Sequence, residues 1–173
     1  LWHTLSLHDA LPIWDTPEPG PGQVLVKMQA AALNYRDLMM VRGQYNPRQP
    51  LPLIPCSDGA GEVVSLGSGV SEFQVGDMVA TNFFQNWESG EPTPAKVKTS
   101  LGGPLDGTLT EYMLVPEHGV IRAPSHLTPT QAATLPCAAL TAWTALVGHG
   151  NLKAGAKVLI QGTGGVALFA LQF

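Results

Sequence analysis

The sequence predicts an α/β protein with a β-rich N-terminal part, followed by the truncated start of a doubly wound parallel sheet. Three observations predict this. Short alternating segments are separated by Gly and Pro turns, the pattern becomes helical at residue 128, and a glycine-rich loop follows an apolar segment near the C-terminus. The 173 residues are enough to bury a core in one domain or in one and a half.

The composition excludes several classes of partner. Hydrophobic residues make up 45% of the chain and charged residues 13%, with a formal net charge of −4. No basic run is present, so we expect no nucleic-acid partner. Apolar runs are too short to span a bilayer, so we expect no membrane partner either. The two cysteines are far apart, which is typical of reduced thiols in a cytoplasmic protein.

The N-terminal part contains the predicted strands. Residues 1–13 lack the charged start of a secretory signal and any periodicity, so we interpret them as a non-native or disordered lead. Residues 14–127 then form one predicted domain, a small β-barrel or sandwich. We expect a short helix over 30–43, and loops over 47–55 and 87–107, where Pro and Gly are frequent. The predicted strands cover residues 23–28, 58–66, 77–82, 108–115 and 119–123.

A second domain is predicted to begin at residue 128 and to continue to residue 173. Thr128 to Gln131 has a capping-box pattern with Pro at the first helical position. The helical pattern continues to residue 147, with an expected break at Pro136. An apolar strand is predicted over 156–161, and another helix from Gly164. Helix, buried strand, glycine loop and helix in this order indicate the start of a nucleotide-binding sheet.

The glycine loop predicts a dinucleotide site. It has the form G-x-G-x-x-A and consists of Gly162, Thr163, Gly164, Gly165, Val166 and Ala167. Such glycines allow a tight turn and close approach of the backbone to a pyrophosphate, which the free N–H groups of the following helix attract. A glycine-rich turn of an α/β protein without a ligand is the alternative interpretation. The residue that separates NAD from NADP lies about twenty positions further on, so both cofactors stay open.

Several motifs resemble those of the medium-chain dehydrogenase/reductases. In order they are AALNYRDL, PLIPCSDGAGEVVSLGSGV, GDMV, LPCAALTAWTAL and VLIQGTGGVA. Within that superfamily the chain is similar to the zinc-independent quinone oxidoreductase and alcohol-dehydrogenase-like branch. The resemblance implies a GroES-like β-barrel as catalytic domain and a Rossmann domain after it, with the active site in the cleft between them. It also implies that the parent protein is a homodimer.

The same resemblance predicts that no zinc is bound. The zinc-binding relatives have a cysteine where Asn34 stands, a His-Glu pair at Ser57 and Asp58, and a cysteine at Cys137. Two of three metal ligands are therefore replaced by neutral oxygen groups, which hold zinc poorly compared with thiolate or imidazole. Residues 87–107 also contain none of the four cysteines of a structural zinc lobe.

The resemblance places the candidate catalytic residues at Asn34, Tyr35 and Asp58, and a nicotinamide contact at Thr141. Without a Lewis acid, hydride transfer to a quinone, an enone or an enal needs orientation and hydrogen-bond donors at the developing oxyanion. Asn34 and Tyr35 are the expected donors, and Asp37 and Asp58 the groups that orient them. The alternatives are a helix-capping role for Asn34, a packing role for Tyr35, a turn role for Asp58 and a solvated charge for Asp37.

The favoured function is a cytoplasmic NAD(P)-dependent oxidoreductase acting on a small molecule. One alternative is an alcohol dehydrogenase that works without zinc, and another is a non-catalytic GroES-like or cofactor-binding protein. A single strand and part of a helix leave apolar side chains of the second domain uncovered, among them Val158, Ile160 and Phe169. We therefore expect the 173-residue chain on its own to be inactive and poorly soluble.

Overall fold

The computed structural model describes residues 15–173, so the lead expected at residues 1–13 lies outside the described range. Its first and largest unit is a five-stranded antiparallel sheet. All five predicted strands are confirmed, with shifted ends in every case but β2. They are β1 (Gln23–Ala32), β2 (Asp58–Leu66), β3 (Met78–Thr81), β4 (Tyr112–Pro116) and β5 (Val120–Arg122).

The order of the strands in the sheet is β4-β1-β2-β3-β5. β1 pairs with β2 from Val24 opposite Leu66 to Ala32 opposite Asp58, and with β4 on its other edge. The two edge strands of this order, β4 and β5, are consecutive in the chain and are joined by one 3-10 turn, Glu117–Gly119. Because that turn brings the two edges together, the sheet curls into a barrel.

Alternation along the strands places one row of side chains inside the barrel. Val24 and Val26 of β1 are 0% and 1% exposed, whereas the side chain of Lys27, which follows them in the same strand, lies in solvent. The interior is filled by valines and a few larger side chains: Val24, Val26, Val63, Phe73, Val79, Leu101, Met113, Val115 and Val120. A second, alanine-rich cluster on the outside lets the first helix of the C-terminal part lie close to the sheet.

Arg36 connects the first helix, α1 (Tyr35–Val41), to the long segment over 87–107. Its Nη1 donates to the carbonyl of Leu101 at 2.8 Å and its Nη2 to that of Gly103 at 3.0 Å. The guanidinium also lies 4.8 Å from the centroid of the Phe83 ring. The segment expected to be a loop contains one short helix, α2 (Pro94–Val97), and is otherwise irregular.

The helix predicted over 30–43 begins later than expected, at Tyr35. Ala30, Ala31 and Ala32 instead continue β1, because they pair with Ala60, Gly59 and Asp58 of β2. Alanine is a good helix former, so the local preference of these residues was overridden by the hydrogen bonds of the sheet.

The helical part starts at the predicted capping box. Thr128 Oγ1 accepts a hydrogen bond from the N–H of Gln131, whose side chain accepts one from the N–H of Thr128. The helix is interrupted near Pro136, as expected, but it does not stop there: π-helical turns continue it. Its parts are α3 (Pro129–Ala132), the π-helical Leu135–Ala139, α4 (Leu140–Trp143) and the π-helical Thr144–His149.

The strand predicted over 156–161 is not formed, and this expectation is wrong for the described chain. A strand is stabilised by hydrogen bonds to a neighbouring strand, and no segment within residues 15–173 pairs with this one. Leu159 is 85% exposed as a result. The last helix, α5 (Gly165–Gln172), starts where predicted. None of the helices within residues 15–173 combines the length and apolar character needed to cross a membrane.

The apolar side chains of this C-terminal part are unevenly covered. Val158 is 45% exposed, while Ile160 and Phe169 are half-buried. The rings of Phe169, Phe173 and Trp143 pack against one another, with centroids 6.1 Å and 5.5 Å apart for successive pairs. α5 therefore packs on α4, while the irregular segment before it stays open to solvent.

Candidate active site

Asp58 joins the barrel to the helical part. It is the first residue of β2 and is 1% exposed. Its Oδ1 accepts a hydrogen bond from the Ser57 hydroxyl at 2.6 Å, and its Oδ2 accepts one from the backbone N–H of Cys137 at 2.8 Å. A turn residue before a strand would not make this second bond, which crosses from the sheet to the Leu135–Ala139 turn.

Burial raises the pKa of Asp58 above its ordinary value. The hydrogen bonds from Ser57 and from the Cys137 N–H act in the opposite direction, and the neighbouring Asn34 side chain adds a smaller lowering. Removal from water outweighs all three effects. Asp58 is therefore a buried carboxyl group surrounded by hydrogen-bond donors. Such groups are found in functional sites and also in structural hydrogen-bond networks.

Asn34 and Asp37 form a second pair at the start of α1. Asp37 Oδ2 accepts a hydrogen bond from the backbone N–H of Asn34 at 2.7 Å. Asp37 is only 5% exposed, so its interpretation as a solvated helix charge is wrong. Two atoms of the pair are buried without a hydrogen-bond partner, Nδ2 of Asn34 and Oδ1 of Asp37. Buried polar atoms normally have partners, and Oδ1 of Asp37 lies 4.0 Å from Nη1 of the buried Arg36, within ion-pair distance.

A cleft of about 270 Å³ opens beside this pair. Most of its lining is aliphatic, and its polar residues are Asn34 and Asp37, with the thiol of Cys56. Tyr35 is 76% exposed and does not line the cleft. The full lining is Leu33, Asn34, Asp37, Leu38, Val41, Pro55, Cys56 and Leu109.

The two cysteines near this site are free thiols. Burial, followed by the charges of Asp37 and Asp58, raises the pKa of Cys56 to about 11. Burial and the Asp58 charge also raise the pKa of Cys137. Thiols protonated in this way are poor nucleophiles. Cys137 thus contributes its backbone N–H to the site.

The glycine loop has the openness that a pyrophosphate requires. Gly162 has a positive φ of 87°, and a Cβ added at Gly162 or Gly164 would meet nothing within 4 Å. Gly164 caps α5, and no side chain caps the first N–H groups of this helix. A Cβ at Gly165 would lie 3.2 Å from that of Ala138, so the loop adjoins the turn that carries Cys137. The geometry of these residues fits a dinucleotide phosphate.

The structure thus brings together Asn34, Asp58 and Cys137, residues far apart in the sequence, and places Thr141 one helical turn beyond Cys137. Thr141 is exposed, and its hydrogen bond with the Cys137 thiol lowers the pKa of that thiol by less than burial raises it. Sequence reasoning missed that Asp37 is buried beside Arg36. The signal was present, since Asn34 followed three positions later by Asp37 is a capping pattern that turns the carboxylate back toward the chain.

Comparisons with known proteins agree with this architecture. The model of the alcohol dehydrogenase GroES-like domain matches residues 20–125. A Schizosaccharomyces pombe relative, named a zinc-type alcohol dehydrogenase-like protein, is 44% identical over 96% of this chain and 51% of its own length. An acryloyl-coenzyme A reductase of Metallosphaera sedula is 31% identical over 90% of this chain and 48% of its own.

A solved structure titled as an NAD-dependent alcohol dehydrogenase superimposes with a TM-score of 0.83 at 34% identity, covering 92% of this chain and 49% of that one. The chain spans about half the length of the curated relatives it matches. The family model covers more than half of the chain, and the curled sheet that it matches carries the candidate site. The chain therefore belongs to the alcohol dehydrogenase GroES-like domain family, within the medium-chain dehydrogenase/reductase superfamily.

Proposed function

We propose that the complete protein is a zinc-independent, NAD(P)-dependent oxidoreductase that reduces a quinone, an enone, an enal or a related carbonyl compound. The observation that carries the proposal is the position of Asn34, which lines a mostly aliphatic cleft and whose side-chain amide lies beside the buried Asp58. A donor in such surroundings interacts strongly with a carbonyl oxygen that gains negative charge. We further propose that the protein acts in the cytoplasm, as a homodimer, on a small molecule.

The donors around Asp58 do not fit a zinc site. Asn34 offers an amide and the Ser57 hydroxyl already donates to Asp58, and neither group is an ordinary zinc ligand. Within the described part of the chain, no three His, Cys, Asp or Glu side chains are grouped as metal ligands. We therefore derive no step through a metal.

The cofactor would be held by the glycine loop, Gly162 to Val166, with Thr141 beside the nicotinamide. When bound, the reduced nicotinamide supplies a hydride. Hydride addition at the β-carbon of an enone would place negative charge on the carbonyl oxygen, until a proton from solvent adds at the α-carbon. Asn34 would orient the carbonyl and donate to its oxygen as charge develops there, while the aliphatic lining excludes water.

Cofactor oxidation by the complete reading frame that contains this sequence tests the proposal. We expect oxidation of NADH or NADPH with a quinone or an enone, and the same rate after treatment with a metal chelator. Alcohol-dependent reduction of NAD or NADP that the chelator abolishes would instead favour the zinc-type activity that the name of the yeast relative suggests. Cofactor binding without turnover of any of these compounds would favour a non-catalytic role.

Replacement of Asn34 by alanine is expected to lower kcat/KM about 100-fold, since it removes the proposed donor to the developing oxyanion. The dissociation constant of the cofactor should stay unchanged, because the glycine loop is untouched. Asn86→Ala, an exposed asparagine outside the cleft, is the matched control and should keep wild-type kinetics. Equal kcat/KM values for Asn34→Ala and wild type would contradict a donor role and leave Asn34 as a helix cap.

A further inference from the structure

We propose that Asp58 is a positioning residue for the nicotinamide cofactor. Its hydrogen bond with the backbone N–H of Cys137 fixes the π-helical turn Leu135–Ala139, which lies between the glycine loop and Thr141. The inference rests on the proposed function and adds how a residue of the barrel acts on cofactor binding by the second part of the chain.

The N–H of Cys137 can donate to Asp58 because Pro136 precedes it in the helix. Proline has no N–H, and its ring clashes with the carbonyl four residues earlier, so a regular α-helix is interrupted at this point. The chain forms a π-helical turn instead. In a regular α-helix the Cys137 N–H would donate to the carbonyl of Ala133, whereas here it donates to Oδ2 of Asp58 at 2.8 Å. An acceptor of the barrel has thus replaced an acceptor of the helix.

This hydrogen bond determines where the Leu135–Ala139 turn lies on the barrel. Within residues 15–173 it is the only hydrogen bond between the turn and the strands. The neighbouring contacts are made by alanines of the sheet and of the helix before the turn: Ala60, Ala80, Ala132 and Ala133. Apolar contacts of this kind have no preferred direction, whereas a hydrogen bond requires a distance and an angle. Asp58 is itself held in place, because it is 1% exposed and its Oδ1 accepts a hydrogen bond from Ser57.

The same turn adjoins both parts of the proposed cofactor site. A Cβ added at Gly165 would lie 3.2 Å from that of Ala138, so the glycine loop packs directly on the turn. Thr141 follows Ala138 by three positions, and residues with this spacing are neighbours on the surface of a helix. The pyrophosphate and the nicotinamide of one dinucleotide would therefore be held on either side of this turn. If the turn loses its acceptor and relaxes, the glycine loop and Thr141 lose the spacing that the dinucleotide requires. Asp58 acts on the cofactor through the turn and does not contact it.

Fluorescence titration of the complete protein with NADH and with NADPH tests the inference without any turnover. We expect Asp58→Ala to raise the dissociation constant of the cofactor about tenfold or more, because the turn loses the bond that positions it. Asp58→Asn should keep the wild-type constant, since its amide oxygen can still accept from the Cys137 N–H. Asp58→Ser is the second variant in case Asp58→Ala does not fold. Its hydroxyl can still pair with Ser57 but is too short to reach the Cys137 N–H, so it should weaken cofactor binding in the same way.

Ser57→Ala is the matched control, because it removes the donor to Oδ1 of Asp58 and leaves the bond to Cys137 in place. It should lower the urea midpoint of unfolding and leave the dissociation constant of the cofactor unchanged. An equally large rise of that constant in Ser57→Ala or in Asp58→Asn, or no rise in Asp58→Ala, would overturn the inference. Turnover of a quinone or an enone by wild type would then leave the proposed function intact. The expected constants in a protein that turns over none of these compounds would overturn the proposed function and support the positioning role.

Discussion

Replacement of Gly107 by alanine is expected to lower the free energy of unfolding by about 3 kcal/mol or more. A Cβ at this position would lie 2.0 Å from the carbonyl oxygen of Cys56 and 2.3 Å from that of Pro55. Both neighbours are backbone atoms in a segment held by hydrogen bonds from Gly107 and Thr108, so they cannot rotate away as a side chain could. The segment must therefore move, and Cys56, which is part of the segment and lines the cleft, moves with it.

Urea unfolding of the complete protein, followed by tryptophan fluorescence, measures this loss as a lower midpoint. Gly148→Ala is the matched control, because the added methyl would meet only Thr144 Cγ2, at 3.5 Å. Since Gly148 lies in a helical turn, alanine there should be neutral or slightly stabilising. Similar midpoints for the two variants would mean that the backbone of residues 54–57 can shift at lower cost in free energy than its contacts indicate.

Replacement of Asp58 by alanine is expected to cost about 3 kcal/mol, because it leaves two buried donors without an acceptor. These are the hydroxyl of Ser57 and the backbone N–H of Cys137. Asp58→Asn retains an acceptor for Cys137 and places its amide nitrogen against the Ser57 oxygen, which can accept. We therefore expect Asp58→Asn to be close to wild type at neutral pH, and a large loss in both variants would contradict the assignment of the bonds.

The raised pKa of Asp58 also gives the sign of a pH dependence. Burial places the folded-state value above the ordinary value of 3.8, so the folded state binds the proton more tightly than the unfolded state. The contribution of Asp58 to stability is complete below pH 3.8 and is lost as the pH rises through the folded-state value. Relative to Asp58→Asn, wild type should lose stability across that interval and then stay level. A difference that grows in the opposite direction would mean that the donors outweigh burial.

Much of the barrel could be predicted from the sequence because its strands alternate and are separated by turn residues. The strand over Asp58–Leu66 has the predicted bounds. The errors arose where tertiary pairing decides local structure. Ala30 to Ala32 belong to β1 because of their partners in β2. Residues 156–161 form no strand because no neighbouring strand is present among the described residues. A pattern within one segment contains no information about either kind of partner.

The site could be predicted in its residue types but not in its contacts. The motifs pointed to Asn34 and Asp58, and the structure brings both to one place with Cys137. The bond from the Cys137 backbone could not be predicted, since any residue at that position has an N–H. The same holds for Arg36, whose two carbonyl acceptors lie in a segment without periodicity. The functions of Asn34 and Asp58 in the reaction stay predictions.

The order of the strands has a consequence for the time at which the barrel can form. Among the strands of residues 15–173, β1 leaves the ribosome first, yet it lies between β2 and β4 and needs both. Its partners in β4 are distant in sequence, and closing so long a loop comes before the pairing that stabilises it. The barrel therefore cannot be completed until synthesis has passed β4. Until then one edge of β1 is exposed to other nascent chains.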